Sequence, residues 1–162
     1  MLSPMRRRER AVSDWNHVLE IIQSCDCCRV AFSEPDGPCI VPMNFGVEAG
    51  PSEQLTLYFH GASSGKKVEL MQKNPCVGFE MDTGHGLVPG AQAYSCSFLY
   101  QSVIGKGKIE AISNSEEKKH GLTVLMKHDM PEKEWDFPSA MVEKTAVFRL
   151  DVTEWSCKEH SR

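Results

Sequence analysis

The sequence predicts a small, mainly β protein in which about six strands close into a barrel and helices are inserted between them. Three observations carry this. Apolar, aromatic and β-branched residues gather into strand-length runs at 29–32, 39–47, 55–60, 76–81, 97–112 and 145–152. The first three runs are joined by short turn-forming segments, Glu34-Pro-Asp-Gly-Pro38 and Ala49-Gly-Pro-Ser-Glu53, as in an antiparallel meander. Helical spacing appears only in isolated stretches between strands, and no internal repeat is visible.

Taken in order, residues 1–12 are polar and read as a flexible arm, 13–155 as one domain, and 156–162 as a C-terminal tail. Ser13 is the expected N-cap of a first helix, with Asp14 in its first turn. Trp15, Val18, Leu19 and Ile22 form the buried stripe, and the helix ends near Ser24. Pro42 cannot donate to a ladder, which places its strand at an edge, at a bulge or where pairing is interrupted. Residues 66–73 read as a helix that Asn74-Pro75 breaks. The glycine-rich segment 82–94 lacks periodicity and reads as a long loop. Gly105 and Gly107 alternate with Lys106 and Lys108 in one long strand, or in two with a bulge. Ser113 and Glu116 have capping-box spacing ahead of Leu122, Leu125 and Met126. Residues 129–143 are irregular apart from a short helix after Pro138.

The chain of 162 residues carries a net charge of −4, which argues against general nucleic-acid binding. The one basic run, Arg6 to Arg10, reads as a solvated arm and has no apolar signal-peptide core behind it. No segment approaches the ~20 apolar residues that cross a bilayer. Seven cysteines without framework spacing point to reduced thiols and a cytoplasmic protein. Cys25, Cys27 and Cys28 lack the two-residue spacers of a zinc site and are read as buried thiols, with no metal assigned.

The stretch with the most chemical content is Leu55-Thr-Leu-Tyr-Phe-His-Gly-Ala-Ser-Ser-Gly-Lys-Lys67. It reads as strand, small-residue turn and helix start. Two lysines in a first helical turn oppose the helix dipole. A bound phosphate would resolve the conflict, because free N–H groups, hydroxyls and ammonium groups would converge on it. Solvated lysines at an exposed helix start fit the spacing equally well, and the residues alone leave both readings open.

The ordered set Val41-Pro-Met-Asn-Phe-Gly46, Leu57-Tyr-Phe-His60, Gly65-Lys-Lys67, Asn74-Pro75 and Ser102-Val-Ile-Gly-Lys-Gly107 resembles the nitroimidazole-resistance (Nim-type) proteins. These are relatives of pyridoxamine 5′-phosphate oxidase with the FMN-binding split-barrel fold, and the resemblance spans roughly residues 5–155. It implies a six-stranded antiparallel, Greek-key-like barrel and a two-fold dimer with FMN at the subunit interface. By the same resemblance Lys66 and Lys67 grip the FMN phosphate, with Ser63, Ser64 and Gly65 in the turn that feeds them. Phe59 and His60 stand beside the ribityl chain and ring. The backbone of Ile40, Val41, Pro42, Met43 and Asn44 meets the pyrimidine edge, and Ser102 contacts the flavin.

His60 is the candidate catalytic residue: an imidazole titrating near ~6.5 is suited to donating a proton, or else it only bonds ribityl hydroxyls or backbone. Ile40 stands where the oxidases have an arginine, so vitamin B6 oxidation is not expected. The function implied is an FMN-dependent oxidoreductase acting on a small planar compound such as a nitroimidazole. The alternative is a flavin- or haem-binding protein that stores, senses or transfers its cofactor without turnover.

Overall fold

The structure, a computed structural model, describes residues 6–161. Residues 1–5 of the segment read as an arm therefore lie outside the described residues. The strands are β1 (Ala11–Val12), β2 (Cys28–Phe32), β3 (Cys39–Met43), β4 (Gly46–Ala49), β5 (Leu55–Gly61), β6 (Cys76–Val88), β7 (Ser97–Ala111) and β8 (Ala146–His160). The helices are α1 (Trp15–Gln23), α2 (Lys66–Lys73), α3 (Ser115–Asp129) and α4 (Ser139–Lys144). The six expected strands are all present, and the short β1 and β4 are additional.

Every pairing is antiparallel, in the order β3-β2-β6-β7-β8-β5-β4, with β1 beside β8. β3 and β4 end this path and do not pair with each other, yet only Asn44 and Phe45 separate them in the chain. The sheet is thus closed covalently but not by a ladder, which is the geometry of a split barrel. Alternation along the strands turns one residue in two inward. Val30, Phe32, Leu55, Leu57, Phe59, Met81, Val103, Ile109 and Leu150 are almost fully buried there, with Val18, Ile21 and Ile22 of α1 closing the core. Tyr58 and Val147 face the other way, into a second cluster under Leu125 of α3.

Several local expectations are corrected. Asp14, not Ser13, caps α1, its carboxylate accepting the His17 N–H at 2.8 Å. Asn114 caps α3, accepting from Glu116 and Glu117, so the capping box at Ser113 is not used. The run 39–47 is two strands, β3 and β4. The segment 82–94 is largely not loop: β6 continues to Val88 as an arm paired with β7, with Leu87 opposite Phe98. A bulge between Thr83 and Gly86 absorbs the glycine-rich sequence, and Gly84 has φ +67°. β8 runs past Val152 to His160, because β7 and β1 supply ladders on both sides, and so takes in most of the stretch read as a tail. Among the described residues no helix is long and apolar enough to cross a membrane.

Candidate functional site

The loop after β5 delivers α2 to the surface with an uncommon start. Gly65 is the N-cap residue at φ +108°, a conformation that suits glycine, and no side chain caps the helix. The N–H groups of Val68 and Glu69 return to the Gly65 carbonyl, leaving those of Lys66 and Lys67 at the open end of the helix. Val68, Leu70 and Met71 bury the opposite face, which fixes where that end points.

The two lysines differ in their surroundings. Lys66 Nζ is 2.8 Å from Glu34 Oε1, and each partner shifts the other: the carboxylate is held below its usual range and the ammonium above. The pair is intact through neutral pH; it is lost as pH falls through the lowered Glu34 value and as pH rises through the raised Lys66 value. Glu34 stands in the turn that leads from β2 to Cys39, the first residue of β3. Lys67 Nζ lies 5.6 Å from the centre of the Phe148 ring and packs against Gly61, where no side chain stands in its way. Ser63 and Ser64 are exposed in the turn.

The turn that leads into β3 therefore adjoins the start of α2. Among the described residues β3 is an edge strand paired only with β2, as Pro42 foretold. Its outer row of backbone groups is free to bond the polar rim of a flat ring, except at Pro42, which has no N–H. Ile40 and Pro42 point outward, Val41 and Met43 pack half-buried against the core, and Asn44 is exposed. Phe59 departs from expectation: its ring is fully buried in the barrel, so only its backbone is open to a ligand.

His60 is exposed, shares a face with Tyr58, and sits opposite Val147. It makes no hydrogen bond among the described residues. Ser102 is not brought to it. Ser102 pairs with Lys158, so the two positions are separated along β8 by a strand contour of about 36 Å. From β3, Ser102 is three strand spacings away, about 14 Å, across the outward side chains of Arg29, Glu80 and Asp82.

Arg29 Nη1 bonds Asp82 at 2.6 Å and Glu80 at 3.1 Å, and Asp82 also holds His85 Nε2 at 2.7 Å. Sequence reasoning missed Glu34, Arg29 and Asp82, because each acts through a partner remote in the chain. His120 and His128 do not meet. The former bonds Glu48 at 3.1 Å, and the latter bonds the Cys25 carbonyl at 2.8 Å against the Phe45 ring. Cys25, Cys28 and Cys157 are buried; burial pushes Cys25 and Cys157 up to about 12 and Cys28 higher still, which keeps them as unreactive thiols.

These residues fit a phosphorylated planar ligand: an uncapped helix start and two ammonium groups for the anion, and a free strand edge for a ring. The pyridoxamine 5′-phosphate oxidase family model matches residues 14–159. A candidate 5-nitroimidazole antibiotic resistance protein from Bacteroides thetaiotaomicron is 32% identical, with a TM-score of 0.78 over 92% of this chain and 86% of that one. A flavocytochrome from Azotobacter vinelandii is 24% identical, with a TM-score of 0.80 over 98% and 73%. An FAD- and haem-binding protein from Mycobacterium smegmatis is 17% identical, with a TM-score of 0.79 over 94% and 74%. No curated protein matches the chain.

Proposed function

This chain belongs to the pyridoxamine 5′-phosphate oxidase family, and on that premise we propose that it is an FMN-dependent oxidoreductase that reduces a small planar acceptor such as a nitroimidazole. The observation that carries the reading is the meeting of the α2 start with the β2–β3 turn that opens the free-edged β3, joined by the Lys66–Glu34 pair. The α2 start suits a phosphate dianion and the β3 edge the polar rim of a heterocycle, and FMN has both. The nitroimidazole is supported by the Bacteroides relative. When bound, FMN supplies the electron-carrying chemistry.

The residues of the chain have separate tasks. Lys66, Lys67 and their N–H groups hold the phosphate, with Ser63 and Ser64 in reach as further donors. The backbone from Ile40 to Asn44 orients the ring. His60, exposed beside the anchor, delivers a proton to the acceptor.

Ser102 is too far across the sheet to serve the same ring in this chain, so it is assigned to the flavin held by a second subunit of a homodimer. The outward face that carries it also exposes Ile40, Phe98 and Ile104, which a second subunit would cover. Free cysteines throughout the described residues accord with a cytoplasmic location. Haem in place of flavin is the second reading, favoured by the flavocytochrome and the FAD- and haem-binding neighbour.

Two results are expected. His60→Ala keeps its FMN but reduces a nitroimidazole about a hundredfold more slowly under a nicotinamide donor; a wild-type rate removes the proton-donor role. Glu34→Gln frees Lys66 from its competing carboxylate, and FMN binding by fluorescence titration tightens several-fold. Unchanged or weaker binding means that Glu34 does not compete with the phosphate.

A further inference from the structure

We propose that His85, held by Asp82, positions the planar acceptor at the flavin ring of a second subunit, the ring to which Ser102 is assigned, an inference that rests on the reading above. The bulge between Thr83 and Gly86 takes His85 out of the β6–β7 ladder, and Gly84 makes the bend at φ +67°. Bulges of this kind re-aim a side chain. Nε2 of the ring is 2.7 Å from one Asp82 oxygen, at ion-pair distance, while the other Asp82 oxygen takes Arg29 at 2.6 Å.

Both carboxylate oxygens are thus engaged, Asp82 draws Nε2 of the imidazole toward itself, and Nδ1 is without a partner among the described residues. Exposed ion pairs add little to stability, so stability alone does not account for a three-residue arrangement built around a bulge. Its place on the sheet is informative. Arg29 stands opposite Pro42, in the strand assigned to the ring, and Asp82 stands opposite Ser102. The pair thus runs on the outward face from the β3 edge to Ser102, the position assigned to the flavin of a second subunit. Phe98, half exposed with its ring centre 6.0 Å from that of His85, gives a planar ligand an apolar neighbour. The ligand class is a small flat heterocycle with a hydrogen-bonding substituent, which His85 Nδ1 meets.

The test is equilibrium dialysis of 2-methyl-5-nitroimidazole against FMN-loaded protein without reductant, for wild type, His85→Ala, Asp82→Asn and the double variant. His85→Ala weakens binding about tenfold. Asp82→Asn weakens it less, because it acts through the imidazole, and the double variant is no worse than His85→Ala alone. FMN content stays at the wild-type level in all, and in turnover the loss falls on KM rather than kcat. Equal binding by wild type and His85→Ala, with FMN in place, overturns this inference alone. Wild type that holds FMN but does not bind the nitroimidazole overturns the substrate reading and the inference together, and wild type that holds no FMN overturns the whole functional reading.

Discussion

Protein carrying Lys66→Ala and Lys67→Ala together is expected to fold as the wild type does and to lose its FMN on desalting. Lys66 is exposed and Lys67 half exposed at the start of α2, while the packing of that helix rests on Val68, Leu70 and Met71. Removing the two ammonium groups therefore leaves the core untouched. Each charge-assisted bond to a phosphate contributes about 1.5–3 kcal/mol, so losing both weakens FMN binding by a hundredfold or more. A second readout is thermal. FMN at a hundredfold excess over its Kd stabilises the protein that binds it by about 2.7 kcal/mol, which raises Tm by roughly 5–10 °C in a chain of this size. Wild type shows that rise on adding FMN and the double variant does not. Wild-type flavin stoichiometry in the double variant would remove α2 as the anchor.

Gly107→Ala has the largest expected effect on stability. At this position β7 crosses β8 at a register shift, and an added Cβ lands on the carbonyl oxygen of Asp151 and close to the Leu150 side chain. The obstacle is backbone, which cannot swing aside as a flexible side chain would. A cost of about 3 kcal/mol follows, and Tm falls by roughly 6–12 °C. Gly86→Ala is the control: the nearest neighbours of its Cβ are Leu99 side-chain atoms at 3.5 Å and beyond, ordinary contacts, and Tm changes by no more than about 2 °C. Equal Tm values for the two variants would mean that β7 and β8 have room to separate at Gly107.

The sequence made the barrel legible because alternation survives wherever one strand face is buried, as in Leu55, Leu57 and Phe59 or Val77, Phe79 and Met81. Pro42 marked an edge for a reason local to its own ring. What stayed hidden depends on partners. The β6 arm has no side-chain pattern of its own and is a strand because β7 pairs with it. β8 outruns its alternation for the same reason. The cap errors at Ser13 and Ser113 arise because Asp14 and Asn114, one residue on, are equally competent acceptors. In the candidate site, the lysines and His60 were visible as a local motif. The Glu34 carboxylate that faces Lys66 was not, since its segment signals only a turn. The distance between His60 and Ser102 emerges only once both are seen to border β8.

The absorption spectrum of the protein as purified, with the released cofactor identified by mass, tests the central claim most directly. FMN at close to one per chain, with the two-banded absorption of an oxidised flavin, is the predicted result. A Soret band, or protein that stays colourless after incubation with excess FMN, would contradict it.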